Sequence, residues 1–400
     1  MNRVVIVGAS AGGLATAEAL RRSGFTGAVT LIGAEPHAPY DRPPLSKQLL
    51  AGCWQPDQLS LRTTADLDAL RLDLRLGVPA TGLDPAQARV SLADGTTVGY
   101  DRLVVATGVR PRRLPGVEHP RGLHTLRTVE DALLLRAALR PGRRLVIVGA
   151  GFIGAEVAGT ARRLGAQVTL LEAGQAPLAQ AIGAEAGGFL AQLHHDHGVD
   201  LRTGVAVVGI VEVGGMTTGV RLADGTVIPA DDVLVSVGSV PNTEWLTGSG
   251  LPTHDGLVCD QYCVAAPGIY GVGDVCCWPN PLFGVTMRIE HRTNAAEQGL
   301  AVARNLLDPG KQRPFAPVPY VWSDQYDTKI QVYGYLRDHD EATVLDSDRS
   351  DGRLLVAYRK GSRLTGVLAS GVPPKVLRGW RTLIAARTDW TRVLTGSNTA

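Results

Sequence analysis

Short unbroken apolar runs that end at glycine set the rhythm of this chain. Val4-Val5-Ile6-Val7 runs into Gly8-Ala9-Ser10-Ala11-Gly12-Gly13, and Leu145-Val146-Ile147-Val148 runs into Gly149-Ala150-Gly151-Phe152-Ile153-Gly154. An apolar run of this length closed by glycine reads as a buried strand, and the alanine-rich stretches that follow, 14–23 and 155–164, read as helices. Each then meets a glycine (Gly24, Gly165) and a second apolar run, 28–32 or 167–171. Strand, glycine turn, helix and parallel strand make one βαβ unit, so this internal repeat predicts two doubly wound sheets in an α/β chain.

Further runs extend the pattern. Residues 101–108 read as a buried strand ending in Ala106-Thr107-Gly108, and 232–238 as a matching strand ending in Gly238 and followed by Pro241-Asn242. The Arg- and Pro-rich stretch 111–120 reads as a linker. A strand and turn over 268–274 and a helix over 293–307 come next. After Pro314 the pattern changes: 319–336, 342–347, 353–359 and 364–370 alternate like antiparallel strands, with a helical tail near 374–386. The expected organisation is two Rossmann-like dinucleotide-binding domains plus a C-terminal α+β domain. The first comprises 1–112 and 243–318, the second 113–242, and the third 319–400.

Composition narrows the function. Forty basic against 38 acidic residues, a net charge of +2, does not predict nucleic-acid binding. No apolar run reaches the roughly 18 residues of a membrane helix, and the chain enters a strand at Arg3, which leaves no room for a signal peptide. Five cysteines in no framework spacing fit a reducing cytoplasm. A monomer is expected.

The glycine turns carry the chemistry. In a strand–GxGxxG–helix unit, glycine permits the tight turn and close backbone approach. The helix N-terminus offers free N–H groups to a pyrophosphate, and an acid about 20 residues on holds the adenosine ribose. The second copy is complete, with Gly149, Gly151, Gly154 and Glu172, and Phe152 and Ile153 between the glycines. The first has Gly8, Gly12 and Gly13 but Ser10 at the middle position, with Glu35 as its acid; serine is small, and its hydroxyl can donate to phosphate. Two such sites in one chain imply a flavin, FAD, beside a nicotinamide. A carboxylate at Glu172 repels a 2′-phosphate and favours NADH, although Glu172 also reads as a solvated strand-end acid and Arg162 and Arg163 lie on the adjacent helix.

Other segments carry a family likeness. They are Pro39-Tyr40-Asp41-Arg42-Pro43-Pro44-Leu45-Ser46-Lys47, Ala106-Thr107-Gly108, Gly238-Ser239-Val240-Pro241-Asn242, Gly273-Asp274, Arg288-Ile289-Glu290-His291, Thr293-Asn294-Ala295-Ala296-Glu297-Gln298 and Tyr320-Val321-Trp322-Ser323-Asp324-Gln325-Tyr326. In these, along essentially its whole length, the chain resembles the FAD-dependent, NADH-oxidising ferredoxin reductases of cytochrome P450 and aromatic-ring dioxygenase systems, relatives of putidaredoxin reductase. The resemblance implies that Arg42 and Lys47 reach the flavin, Lys47 near its reactive N5, with Glu156 pairing with Lys47 and facing the nicotinamide. It implies that Asp274 bonds the ribityl chain, that Glu290 and His291 flank the isoalloxazine, and that Trp322 closes the pocket near the partner surface. Gly8, Ser10, Gly12, Gly13, Glu35, Ala106, Thr107 and Gly108 would complete the FAD site. Gly149, Gly151, Phe152, Ile153, Gly154, Glu172 and Gly238 would line the NADH site. The partner implied is an acidic [2Fe–2S] ferredoxin that serves a P450 or dioxygenase. Reduction of rubredoxin, a quinone or another small acceptor, or an NADH-sensing flavoprotein, are the rivals.

Plainer readings stand beside these. Glu156 in a first helical turn suits the helix dipole, Lys47 suits a surface lysine, Asp274 a turn cap and Trp322 a core aromatic. Arg292 stands where many relatives carry tryptophan or another apolar residue, and with Arg288 it suggests a basic docking edge. The cysteines argue against disulfide chemistry: no Cys-x-x-Cys occurs, and Cys259, Cys263, Cys276 and Cys277 read as small buried residues. His194, His195 and His197 read as a solvated helix end rather than a metal cluster.

Overall fold

In the computed structural model the described residues are 1–115, 120–348 and 351–396; part of the expected 111–120 linker, 116–119, and the last four residues of the expected C-terminal domain lie outside them. The chain divides into two compact units. One comprises Met1–Arg42, Asp57–Arg110 and Val240–Pro317; the other comprises Pro43–Pro56, Pro111–Ser239 and Val318–Ala400.

The first unit is built on a six-stranded sheet in the spatial order 264–266, 269–271, 102–105, 3–7, 28–33, 73–76. All neighbours are parallel except the edge pair 264–266 and 269–271. Val4, Val5, Ile6, Leu31, Ile32, Leu103, Val104 and Val105 are buried, as unbroken apolar runs in a parallel sheet covered on both faces require. Helices Ala11–Arg22 and Arg292–Leu307 pack closely. A Cβ at Gly299 would lie 2.8 Å from the Gly12 carbonyl oxygen, so glycine sets the interhelical distance. The helices of the two repeats start three residues before the expected 14 and 155, at Ala11 and Phe152. Glycine is a poor helix former, but Gly12, Gly13 and Gly154 enter the first turn because tertiary packing outweighs propensity there.

The second unit holds a five-stranded parallel sheet in the order 200–202, 167–171, 144–148, 232–235, 123–124. It also holds a five-stranded antiparallel sheet in the order 320–325, 328–334, 363–370, 353–360, 341–348. This is the α/β architecture expected, with two parallel sheets and a C-terminal antiparallel one. The expected 319–336 segment is two strands, Tyr320–Gln325 and Thr328–Gly334, split by a two-residue turn in which Tyr326 takes φ +57°. Helix Ala179–Asp196 seats Ile182, Ala186 and Leu190 against Ile330, Val332, Val356 and Leu368 of that sheet. The helix kinks at Gly183 (φ 80°, ψ 171°), and there the Tyr358 hydroxyl donates to the Ile182 carbonyl at 2.7 Å. Among the described residues no helix is long and apolar enough to cross a membrane.

His195 at the end of this helix is exposed, as a solvated face requires, but His194 corrects that expectation and His197 is half-buried. His194 is fully buried, its Nδ1 2.7 Å from the Tyr326 hydroxyl, and the His197 ring stacks on Tyr326 at 3.8 Å between centroids. The reason lies 132 residues away. The Tyr326 turn needs packing to hold a bulky residue at positive φ, and the helix end supplies it. Burial, and secondarily His195 and His197, press the His194 pKa from 6.5 down to about 4. An unfolded histidine takes its proton near 6.5 and the buried one near 4, so the unfolded state binds more protons between those values. Stability is therefore complete above about 6.5 and falls as pH drops toward 4, by up to about 3 kcal/mol. Urea unfolding of the wild type and of His194→Gln across this range tests the point: the wild type should lose stability more steeply with acid.

Candidate functional site

In the first unit, strand Arg3–Val7 ends at Gly8, whose φ of +123° suits glycine. A Cβ there would lie 2.0 Å from the Ala106 carbonyl oxygen, and one at Gly13 would lie 2.0 Å from the Gly8 carbonyl oxygen. The glycines thus let the turn pass under the Ala106-Thr107-Gly108 strand end and let the helix close on the strand. Ser10 sits at the N-cap in extended geometry, its side chain making no cap hydrogen bond, and no acid lies in the first helical turn. The helix presents its first N–H groups uncapped, as a pyrophosphate needs. Thr107 and Asn242 tie the strand ends: the Thr107 hydroxyl donates to the Asn242 carbonyl (2.8 Å), and the Asn242 amide donates to the Thr107 carbonyl (2.9 Å).

Glu35, the expected ribose acid, is held by its own side of the motif. Its Oε2 accepts from the Tyr40 hydroxyl at 2.5 Å and its Oε1 from Arg42 at 2.6 Å, while Arg42 also donates to Tyr40 at 2.8 Å. Burial opposes the Arg42 charge, but Tyr40 and Glu35, and then Asp274, hold its pKa above the ordinary arginine value. The structure thus groups Glu35, Arg42 and Asp274, and adds Tyr40, to which the sequence reading gave no role. Arg292 donates to Asp41 at 2.9 Å; Arg288, only 11% exposed in its side chain, pairs with Asp255 and Glu290. These arginines bind carboxylates of their own unit rather than forming a bare basic edge. His291 is the N-cap residue of the helix Arg292–Leu307.

The second turn repeats the geometry in the second unit. Gly149 has φ +102°, and a Cβ there would lie 2.3 Å from the Ser236 carbonyl oxygen; one at Gly154 would lie 2.1 Å from that of Gly149. A Cβ at Gly151 would meet no atom within 4 Å, so the middle glycine faces open space where a ligand's phosphates can approach. Helix Phe152–Arg163 has no side-chain cap and no first-turn acid, Phe152 is half-buried and Ile153 is exposed. Glu172 is not a solvated strand-end acid: its Oε2 accepts from the Ala150 N–H (2.9 Å) and its Oε1 from the Gly174 N–H (2.8 Å). The strand end at Gly238 takes φ +92°. Both turns therefore fit a dinucleotide.

Glu156 lies on the same helix as the fifth residue, beyond the first turn, so the dipole does not explain it. It is 4% exposed, and three donors converge on it. Lys47 Nζ lies 2.7 Å from Oε2, the Ser46 hydroxyl donates to Oε2 at 2.5 Å, and the Ser323 hydroxyl donates to Oε1 at 2.9 Å. Lys47 is buried, not a surface lysine. Ser46 and Ser323 are site residues the sequence reading missed; both lie inside quoted motifs, and that was the available signal. Trp322, one residue before Ser323, is half-buried and stacks on Tyr320 at 5.6 Å between ring centroids.

All five cysteines are free: Cys259, Cys263 and Cys276 are buried, Cys277 half-buried and Cys53 exposed. The Gln298 amide donates to the sulfurs of Cys263 (3.2 Å) and Cys276 (3.3 Å), and its Oε1 accepts from the Gly273 N–H at 2.7 Å. Burial, with the neighbouring thiols of Cys259 and Cys263, raises the Cys276 pKa well above the ordinary thiol value, which suppresses thiolate chemistry.

Residues 2–299 match the model of the pyridine nucleotide-disulphide oxidoreductases, and 320–396 match the reductase C-terminal model. The chain is 39% identical to a probable ferredoxin reductase of Castellaniella defragrans, over 94% of this chain and 92% of that one. It is 38% identical to rhodocoxin reductase of Rhodococcus erythropolis, over 92% and 86%. Among solved structures, the covalent putidaredoxin reductase–putidaredoxin complex superposes with a TM-score of 0.92 at 32% identity, covering 100% of this chain and 99% of that chain.

The Lys47–Glu156 pair gives a direct test. Lys47→Met leaves a buried carboxylate without its counter-charge and should cost about 3–5 kcal/mol of unfolding free energy. Adding Glu156→Leu should recover a large part of that loss, measured by denaturant unfolding of both variants.

Proposed function

The chain belongs to the pyridine nucleotide-disulphide oxidoreductase family, and from that premise we propose that it is an FAD-containing ferredoxin reductase that draws hydride from NADH and reduces a [2Fe–2S] ferredoxin serving a P450 or related oxygenase. The observation that carries this reading is the likeness to ferredoxin reductases along nearly the whole of both chains, in a molecule with two glycine turns whose helices carry no side-chain cap. FAD, when bound, accepts two electrons as hydride and releases them singly; that chemistry is the cofactor's.

The chain's own residues bind, orient and exclude water. Residues 1–112 and 243–318 hold FAD, through the Gly8–Gly13 turn, Glu35, Arg42, the 106–108 strand end, Asp274, Glu290 and His291. Residues 113–242 hold NADH, through the Gly149–Gly154 turn with Phe152 and Ile153, Glu172 and Gly238. Glu172, fixed by two backbone N–H groups, presents a carboxylate beside the turn and disfavours a 2′-phosphate. Lys47 and Glu156 supply a buried, ordered charge pair for the hydride step. Disulfide reductases of similar fold need a redox cysteine pair beside the flavin, and where one could sit this chain has the turn Pro43–Ser46, with Pro44, Leu45 and Ser46 buried. Five free cysteines fit the cytoplasm.

The test is reduction of the bound flavin, followed by its absorbance, with NADH and with NADPH, and then transfer to an acidic [2Fe–2S] ferredoxin at low and high salt. Fast reduction by NADH, slow reduction by NADPH and salt-sensitive ferredoxin reduction are expected. Flavin reduction without transfer to ferredoxin would move the assignment to another acceptor or to a sensor.

A further inference from the structure

The Trp322-Ser323-Asp324-Gln325 segment holds a second role, on the face of its strand opposite Trp322. We propose that Ser323 is a positioning residue for the Lys47–Glu156 pair, so that the C-terminal strand Tyr320–Gln325 determines where the carboxylate lies. The inference deepens the functional reading above and rests on it for the role of Glu156 in the hydride step.

Strand alternation supplies the geometry. Ser323 and Gln325 are both fully buried, whereas Trp322 and Asp324 are half-buried on the other face. The Gln325 amide donates to the Ser323 oxygen at 3.2 Å. A serine has one hydroxyl hydrogen, and with its oxygen accepting from Gln325 that hydrogen is directed to Glu156 Oε1 at 2.9 Å. The other carboxylate oxygen takes both donors from the Pro-Leu-Ser-Lys turn, Ser46 at 2.5 Å and Lys47 at 2.7 Å. Ser46 is itself tied down, since its carbonyl accepts from the Thr160 hydroxyl at 2.9 Å, one helical turn beyond Glu156.

Two oxygens held from two sides fix the carboxylate plane. Without Ser323, both remaining donors act on one oxygen, and the group is free to turn about its terminal bond. No water replaces the lost donor easily, because Ser323 and Gln325 are fully buried and Ser46 is 2% exposed. Lys47 follows the carboxylate it is bound to, so its ammonium also loses its fixed place. The role is one of aim: affinity for NADH does not depend on it.

The experiment is a double-substitution cycle on the FAD-loaded protein with Ser323→Ala, Glu156→Gln and both together. Stopped-flow reduction by NADH gives the dissociation constant and the limiting rate separately, and urea unfolding gives a readout independent of turnover. Ser323→Ala should lower the limiting rate about tenfold with little change in the NADH dissociation constant. It should slow the Glu156→Gln protein no further, and its shift of the unfolding midpoint should likewise vanish in that background. Ser323→Thr, which keeps the hydroxyl, should restore most of the rate. If the rate losses multiply, or the midpoint shifts add, Ser323 acts independently of Glu156 and the proposal is overturned. If Glu156→Gln itself leaves the NADH rate unchanged, it is the role of Glu156 in the hydride step that fails, and additivity of the midpoint shifts still decides whether Ser323 positions it.

Discussion

A carboxylate 4% exposed on a helix interior is the constraint around which the second unit is organised. A carboxylate in such a place requires donors, because the desolvation of an ion costs several kcal/mol unless partners replace the lost water. The donors come from residues 46 and 47 on one side and 323 on the other. Three stretches far apart in sequence are therefore obliged to meet: the Pro-Leu-Ser-Lys turn, the helix that follows the second glycine turn and the first strand of the C-terminal sheet. Surface pairs such as Arg202–Asp200 impose no comparable constraint, since water is an equal partner for them.

The two glycine turns show a different kind of constraint, one of distance rather than charge. Each places a strand-end carbonyl about where a side chain would otherwise be, so residues 8 and 149 admit no Cβ. The middle position differs: Ser10 stands in the first turn, while Gly151 opens on empty space in the second. The acids diverge as well. Glu35 is held by side chains, Tyr40 and Arg42, whereas Glu172 is held by the backbone of its own turn and of Gly174. The same local fold thus presents its carboxylate from two different supports.

Much of this was legible in the chain. Buried parallel strands are unbroken apolar runs, and glycine marks where backbones crowd, so both turns and most strands of the two parallel sheets and the C-terminal sheet could be read from local pattern, whereas the short antiparallel strands in 80–99 and 207–229 were not. What escaped reading depends on partners remote in sequence. His194 looked like a solvated residue beside two other histidines, but its neighbour in space is Tyr326, 132 positions on. Arg292 suggested an open docking charge until Asp41, 251 positions away, took it. Ser46 and Ser323 carry no periodic signal, because a hydroxyl suits a surface as well as a buried carboxylate. The split of 319–336 at Tyr326 was hidden for the same reason: tyrosine is not a turn residue, and only the packing of His194 and His197 makes it one.

The separation between Glu156 and its donors has a consequence for how the molecule is made. Lys47 and Ser46 precede the carboxylate in the chain, but Ser323 follows it by 167 residues. On the ribosome, the helix bearing Glu156 emerges when two of its donors are already free to reach it and the third has not been synthesised. Any Lys47–Glu156 pair formed in that interval lacks the Ser323 hydrogen bond. Translation of the C-terminal strand is then the step that completes it, so the order of synthesis is also the order in which the charge is secured.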